Sequence, residues 1–154
     1  MQRRRAKPFK VSDWPMYYLL RTERAHMRNA TRLLAPHDLH HREWRLLAIA
    51  DERGPIGVGD LAEAAGLERP TVSKMLERLE RRGLVHRADG EDDARSAPVV
   101  LAAKGLSKLR ETEPLVRGLL ERYAAGMSRS DYADLMRLLK EFEARVEGAL
   151  LKPL

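Results

Sequence analysis

Cationic and hydroxyl side chains recur on one side of a predicted helix over residues 69–82. Arginine and lysine donate hydrogen bonds to phosphates and to guanine, and hydroxyls reach either a base edge or a phosphate. The apolar residues between them recur at helical spacing and therefore face a core; they are Val72, Met75, Leu76 and Leu79. We predict that the opposite side contacts nucleic acid through Arg69, Pro70, Thr71, Ser73, Lys74 and Arg78.

The neighbouring elements have the order needed to present such a helix to DNA. We predict a short helix over about 60–65 that Gly66 ends, then the helix over 69–82 that Gly83 ends. Apolar runs over 84–87 and 98–101 flank a charged tip and predict a β-hairpin wing. A helix-turn-helix followed by a wing is a shape whose second helix fits the DNA major groove.

Four further helices are predicted around this segment, over about 13–35, 41–53, 104–127 and 130–150. Ser12 or Asp13 would cap the first, Ser128 or Ser130 would cap the last, and Pro114 would kink the helix after the wing. The short run 56–58 could form a brief strand. The first and the last two helices carry more apolar surface than a small winged helix can cover, so we expect a helical homodimer.

The predicted fold class is therefore mainly α with a small β-wing: a winged helix-turn-helix plus a helical dimerisation module. Residues 1–12 would form a basic arm, and residues 13–35 with 104–150 the dimerisation module. Residues 36–103 would form the DNA-binding domain.

The net charge of +6 does not come from the predicted DNA-reading segment. Residues 1–10 contain five basic and no acidic side chains, whereas residues 57–105 contain eight basic and nine acidic ones and so carry −1. DNA affinity of the winged segment must therefore depend on where individual cations lie. For the basic arm, both a DNA contact and a solubilising tail stay open.

Composition and missing motifs exclude several classes of protein. The 154 residues contain no cysteine, which excludes a thiol redox sensor, a thiolate zinc site and a disulfide scaffold. No apolar run approaches the ~20 residues of a membrane span, and no apolar segment follows the basic N-terminus as in a secretory signal. A glycine-rich phosphate loop and an H-E-x-x-H motif are also missing. We expect a cytoplasmic protein with no membrane partner, no catalytic residues and no cofactor.

Residues 60–87, DLAEAAGLERPTVSKMLERLERRGLVHR, resemble the MarR (multiple antibiotic resistance regulator) family of transcription factors. The wing pattern Asp93-Ala94-Arg95, the segment VVLAAKG after it and HREWRLLAIA before it are also similar to this family. The resemblance implies a homodimer on a palindromic double-stranded DNA operator, with Arg95 in the minor groove and Asp93 orienting it. An ion pair that stabilises the hairpin is the alternative role for these two residues. Glu68 and His40 depart from the Ser, Thr or Asp that the family usually has at these helix starts.

The resemblance also implies a response to a small aromatic or phenolic ligand. Aromatic and cationic side chains near the junction of the two modules suit an aromatic carboxylate; they are Tyr18, His26, His41, Trp44 and Arg45. Trp44 could equally be a core residue. A protein that such a ligand releases from its operator would act as a repressor in the absence of the ligand.

Two alternatives remain. A metal-responsive regulator could use His37, His40 and His41 with Glu23, His26 and Glu43, but metal-sensing relatives also use histidines after the wing, and here none follows His86. We therefore assign no metal site. The other alternative is a winged-helix dimer that acts as a protein-interaction module.

Overall fold

The structure, a computed structural model, describes residues 8–88 and 97–149. Within these ranges the chain forms six α-helices and one two-stranded sheet, and the predicted fold class is confirmed. The helices are α1 (Pro15–Leu34), α2 (His41–Arg53), α3 (Val58–Ala65), α4 (Arg69–Arg81), α5 (Ala103–Ala124) and α6 (Arg129–Ala149). The strands are β1 (Val85–Arg87) and β2 (Val99–Leu101), and short 3-10 turns cover Val11–Asp13 and Ala35–His37.

The first helix begins later than the sequence predicts. Val11–Asp13 form a separate 3-10 turn, and Trp14 is the N-cap residue in an extended conformation with no capping side-chain hydrogen bond. Pro15 then opens α1, where its missing N–H is of no consequence. The prediction that Ser12 or Asp13 caps this helix is wrong. For α6, Ser128 rather than Ser130 is the cap, because its hydroxyl accepts the N–H of Asp131 at 3.1 Å.

Glycines in left-handed conformations end both helices of the helix-turn-helix. Gly66 has φ +60° and closes α3, and Gly83 has φ +70° and follows α4. The N–H of Leu84 bonds to the carbonyl of Leu79 at 2.9 Å, so the chain turns directly from α4 into the wing. These two turns fix the direction in which α4 leaves the rest of the domain.

The wing is an antiparallel pair of strands in which Val85 lies opposite Leu101 and Arg87 opposite Val99. Ile56 adds an isolated bridge to Val99, with N–H···O distances of 3.1 and 2.8 Å. The brief strand expected over 56–58 is reduced to this bridge because Val58 already begins α3. The wing tip, with Asp93 and Arg95, lies outside the described residues.

One hydrophobic core joins α2, α3, α4, the wing and the first part of α5. Its fully buried side chains include Leu46, Leu47, Leu61, Val72, Leu79, Leu84 and Val99. The apolar side of α4 predicted from its spacing is buried in this core. Because α2, α3 and the wing share one core with α4, each of these elements helps to hold α4 in place.

The chain divides into two compact units, with the boundary after Val116 inside α5. The first contains α1 to α4, the wing and the first part of α5. The second contains the rest of α5 and α6, and no described residue of α6 is buried. Its exposed apolar side chains include Leu120, Tyr123, Tyr132, Leu135, Leu138 and Val146. No helix within 8–88 and 97–149 is both long and apolar enough to cross a membrane.

Candidate nucleic-acid interface

The predicted nucleic-acid side of α4 faces solvent. Five of its six candidate residues are exposed and Ser73 is half-buried; the exposed ones are Arg69, Pro70, Thr71, Lys74 and Arg78. None of the three cations among them forms an ion pair with another described residue. Cations that are not neutralised within the protein are available to phosphates and base edges.

The N-terminal end of α4 is open. Glu68 is the N-cap residue, but its carboxylate forms no capping hydrogen bond, and Pro70 occupies the first turn. The carbonyl of Glu68 accepts the N–H groups of Thr71 and Val72 at 2.9 and 3.1 Å. An uncapped helix start keeps its partial positive charge, which favours an approaching phosphate.

The C-terminal end of α4 is anchored by Arg82. Its Nη1 donates to Oε2 of Glu43 at 3.3 Å, and its Nη2 donates to Oδ2 of Asp38 at 3.0 Å and to the carbonyl oxygen of Asp38. The Glu43 side chain is only 5% exposed and also accepts the N–H of His40 at 3.1 Å. Asp38 adopts a left-handed conformation with φ +54°. Arg82 thus joins the end of α4 to the corner that precedes α2.

Further polar contacts join these elements to α5. Lys104 Nζ donates to the carbonyl of Arg82 at 2.9 Å. His37 Nδ1 lies 2.7 Å from Oε1 of Glu111, and hydrogen bonds from Lys108 and His37 lower the pKa of that exposed carboxyl. The indole N–H of Trp44 donates to Oγ1 of Thr112 at 3.1 Å.

The structure brings three of the five predicted ligand residues together between α1 and α2. The Nε2 atoms of His26 and His41 are 3.0 Å apart, and their rings meet edge to face. Arg45 lies beside them, 4.0 Å from Glu23, and its buried Nε has no hydrogen-bond partner among the described residues. Burial, and then the nearby His26 and Arg45, lower the pKa of His41 to about 4, so its ring is neutral at pH 7.

The other two predicted ligand residues lie elsewhere. Trp44 packs against the hydrophobic core and is hydrogen-bonded to α5, as its alternative role as a core residue requires. Tyr18 is 57% exposed and packs edge to face on Tyr17, with ring centroids 5.2 Å apart. No group of three or more His, Asp or Glu side chains with metal-binding geometry occurs in the described part of the chain.

A cleft of about 840 Å³ separates α4 from α1 and α2. We call it the α2–α4 cleft. Its walls include Met27 of α1, Arg42 and Glu43 of α2, and Lys74, Arg78 and Arg81 of α4. Of the predicted ligand residues only His41 lines it, whereas three predicted DNA contacts do: Thr71, Lys74 and Arg78.

Sequence reasoning missed Arg82, Asp38 and Glu43 as the anchor of α4. Arg82 is 44 positions from Asp38, so no helical or strand spacing relates them. Thr112 was missed for the same reason, since its partner Trp44 is 68 positions away. The one available signal was Glu43 three positions after His40, the spacing of a capping box.

A sequence model of the MarR family matches residues 39–97, which extend from the corner before α2 to the start of β2. The chain is also similar to the HTH-type transcriptional repressor IacR of Pseudomonas putida. The two are 29% identical over 132 residues, which cover 86% of this chain and 79% of the relative. Over residues 39–97 the chain is thus similar to the MarR family.

Two proteins of known structure have the same architecture. The transcriptional repressor CouR, bound to a 23-mer DNA duplex, matches with a TM-score of 0.76 and 25% identity over 90% of this chain and 99% of that one. NadR in complex with 4-hydroxyphenylacetate matches with a TM-score of 0.75 and 26% identity, over 88% of this chain and 97% of that one. The resemblance to the MarR family seen in the sequence is confirmed, and the similarity to these repressors indicates a DNA-binding transcriptional regulator.

Proposed function

We propose that this protein is a homodimeric repressor of the MarR type that binds a palindromic operator and is released by a small aromatic or phenolic ligand. The observation that carries the proposal is the solvent-facing side of α4. It presents cations that form no ion pair with another described residue, on a recognition helix whose start is open and whose apolar side is buried in one core. Two such helices in successive major grooves would read two half-sites.

The proposed contacts divide into base readout and phosphate contacts. Arg69, at the open start of α4, would donate two hydrogen bonds to guanine, and Pro70 beside it would contact a thymine methyl. Thr71 and Ser73 would contact a base edge or a phosphate, and Lys74 and Arg78 would contact phosphates. In the wing we keep the assignment of Arg95 to the minor groove with Asp93 orienting it.

The dimer is proposed from exposed apolar surface in each unit. In the first unit Val11, Trp14, Tyr18 and Leu20 are each about half exposed or more. In the second, α6 has no buried residue although it carries seven large apolar side chains, six of which are exposed. Surfaces of this kind on a single chain are typical of an interface, and a two-fold axis would bury each of them against the partner chain.

The ligand site is proposed between α1 and α2, around His26, His41 and Arg45, and it leaves out Tyr18 and Trp44. The buried Arg45 Nε offers a hydrogen bond to a carboxylate, and the neighbouring His26 and His41 rings line the site. The complex of NadR with 4-hydroxyphenylacetate supports a ligand of this chemical class.

Fluorescence anisotropy on the DNA upstream of the protein's own gene tests the DNA-binding part. Arg69→Ala should weaken operator binding by about 1–3 kcal/mol and relax the preference for one base pair. Lys74→Ala should weaken binding to all sequences. It should also reduce the slope of log Kd against log salt concentration by about 1, because one fewer counterion is released. Arg53→Ala, an exposed arginine at the end of α2, is the matched control and should change nothing.

Two outcomes would count against the proposal. Competition by a shuffled duplex as strong as that by the operator would show that the protein does not recognise a sequence. Full tolerance of both Arg69→Ala and Lys74→Ala would favour the alternative of a protein-interaction module.

A further inference from the structure

The contacts of Arg82 carry an inference that rests on the proposed function and concerns what orients α4 on DNA. Arg82 is the C-cap residue of α4, and its guanidinium reaches both Asp38 in the corner before α2 and Glu43 in the first turn of α2. The Glu43 side chain is 5% exposed and that of Arg82 is 29% exposed, so this ion pair is shielded from solvent. Because a buried carboxylate without its partner is strongly unfavourable, Glu43 holds Arg82 in a defined place.

The corner to which Arg82 binds is itself held in place. The adjacent His37 lies 2.7 Å from the Glu111 carboxylate of α5. Asp38 has a left-handed conformation, which residues other than glycine seldom adopt, and Arg82 binds both its carboxylate and its carbonyl oxygen. Arg82 therefore connects α4 to a point that is fixed on two further elements, α2 and α5.

A second contact holds the same end of α4 through the main chain. Lys104 Nζ, at the start of α5, donates to the carbonyl oxygen of Arg82 at 2.9 Å. The N–H of Arg82 bonds to the carbonyl of Arg78 at 3.2 Å, so helical hydrogen bonding continues up to this residue. Both the side chain and the main chain of Arg82 are thus engaged, which sets the position of the helix end along and around its axis.

The remainder of α4 has few directional contacts. Its only other ion pair within residues 8–88 and 97–149 joins Glu80 to Arg87 at 4.0 Å. Glu68 at its start forms no capping hydrogen bond, and its apolar side is buried by contacts that are non-directional. The direction in which Arg69 and Lys74 point therefore depends on how the C-terminal end of the helix is held.

We propose that Arg82 is a positioning residue of the DNA interface, whose contacts with Asp38 and Glu43 hold α4 in the orientation in which Arg69 meets its base. A bidentate hydrogen bond to guanine requires a defined position of the arginine fork, whereas a lysine on a flexible stem follows a phosphate over a wider range. Loss of the Arg82 contacts therefore lowers affinity for the operator and spares affinity for other sequences. The two carboxylates thereby favour binding to a polyanion, which is the opposite of what their charge alone would do.

The double variant Glu43→Gln/Arg82→Gln tests this role without a change in net charge. It removes the ion pair without leaving a buried unpaired charge, and a glutamine at position 43 keeps the capping box of α2. Fluorescence anisotropy should show operator binding about tenfold weaker, roughly the loss of one base contact, and binding to a shuffled duplex unchanged. The slope of log Kd against log salt concentration should also stay the same, because no phosphate contact is lost.

Asp38→Asn gives a second test, in which charge and position act in opposite directions. Asparagine also tolerates the left-handed conformation, but it accepts a weaker hydrogen bond from Arg82 than a carboxylate does. Removal of a negative charge alone would tighten binding to DNA, whereas a positioning role predicts operator binding roughly threefold weaker. Asp51→Asn is the matched control and should not weaken binding, because Asp51 is an exposed residue of α2 without an ion pair in the described part of the chain.

Several results would overturn the inference. Equal losses on the operator and the shuffled duplex would show that the double variant has only lost folded protein, which urea unfolding measures independently. A salt slope lower by about 1 would show that Arg82 itself contacts a phosphate. If the double variant binds the operator like the unaltered protein, Arg82 has no positioning role and the proposed function stands. If the unaltered protein binds both duplexes alike, the proposed function fails and this inference fails with it.

Discussion

His41 lies where its protonated form is disfavoured. Its ring is 4% exposed, meets His26 at 3.0 Å and lies near the positive Arg45 and Arg42, with Glu23 as the opposing charge. Burial is the largest cause of the lowered pKa, and the positive neighbours add to it. The folded protein therefore keeps this histidine neutral at a pH where an unfolded chain protonates it.

We predict that the free energy of unfolding decreases as the pH falls from about 6.5 to about 4. In that window the unfolded chain binds a proton at His41, with a pKa of 6.5, and the folded chain does not. The contribution of His41 to the free energy of unfolding is fully present above pH 6.5. Below that pH it is lost by up to about 1.4 kcal/mol per pH unit. Urea unfolding at several pH values measures it. His41→Gln should flatten the dependence, and His86→Gln, on the exposed side of β1, should preserve it; equal slopes in both variants would contradict the assignment.

Thr112 gives a second prediction for a single residue. Its hydroxyl is fully buried, accepts from Trp44 Nε1 at 3.1 Å and donates to the carbonyl of Lys108 at 2.8 Å. Thr112→Val keeps the shape but removes the acceptor, so it should destabilise the fold by about 1–2 kcal/mol. Thr112→Ser keeps the hydroxyl and should cost about 0.8 kcal/mol or less. Trp44 fluorescence during urea unfolding, in a Trp14→Phe background, separates the two; a Ser variant less stable than the Val variant would contradict this account.

Among the elements, the start of α5 is fixed by its close approach to the wing. A Cβ at Gly105 would clash with the carbonyl oxygen of Leu84 and would lie 3.0 Å from Leu101 Cδ1. The same Leu84 carbonyl accepts the N–H of Ala102 at 3.1 Å. Only glycine lets the backbone of α5 at position 105 approach the Leu84 carbonyl this closely.

We predict that Gly105→Ala destabilises the protein by about 1–3 kcal/mol, since the backbone of β1 or α5 must move. Gly59→Ala in α3 is the control, because nothing lies within 4 Å of its added Cβ. In a helix this change should stabilise the fold by about 0.5–1 kcal/mol. Thermal or urea unfolding of both variants measures the difference. Equal stability of the two variants would mean that α5 can shift freely against the wing.

The sequence predicts some elements better than others for physical reasons. The bounds of α2 are predicted correctly, because Gly54-Pro55 ends the helix by local chemistry. The buried and exposed sides of α4 follow from its spacing alone. The start of α1 is not predicted, because Trp14 has no capping side chain and Val11–Asp13 turn separately. The α2–α4 cleft and the Arg82 anchor depend on how distant segments pack, and no local pattern encodes that packing.

At the scale of the whole molecule, we predict that charge on the exposed apolar side of α6 dissociates the proposed dimer. Leu138 is 53% exposed and stands among Leu135, Leu139 and other apolar residues of that helix. Leu138→Glu would bury an unpaired carboxylate in an interface, which is strongly unfavourable. Light scattering during size exclusion should give the mass of one chain instead of two. Lys140→Glu, two positions further along the helix, should stay dimeric; a monomeric wild-type protein would refute the dimer itself.

The attachment of Arg82 to Asp38 and Glu43 would be the pivot for a rotation of α4 together with the core in which it packs. Thirteen residues at about 1.5 Å each give an arm of about 20 Å from the pivot to Arg69. A tilt of about 10° at the pivot displaces the far end by about 3.4 Å, which is the rise of one base step along a DNA strand. A small rotation about the corner before α2 would thus move Arg69 by the distance between two successive nucleotides.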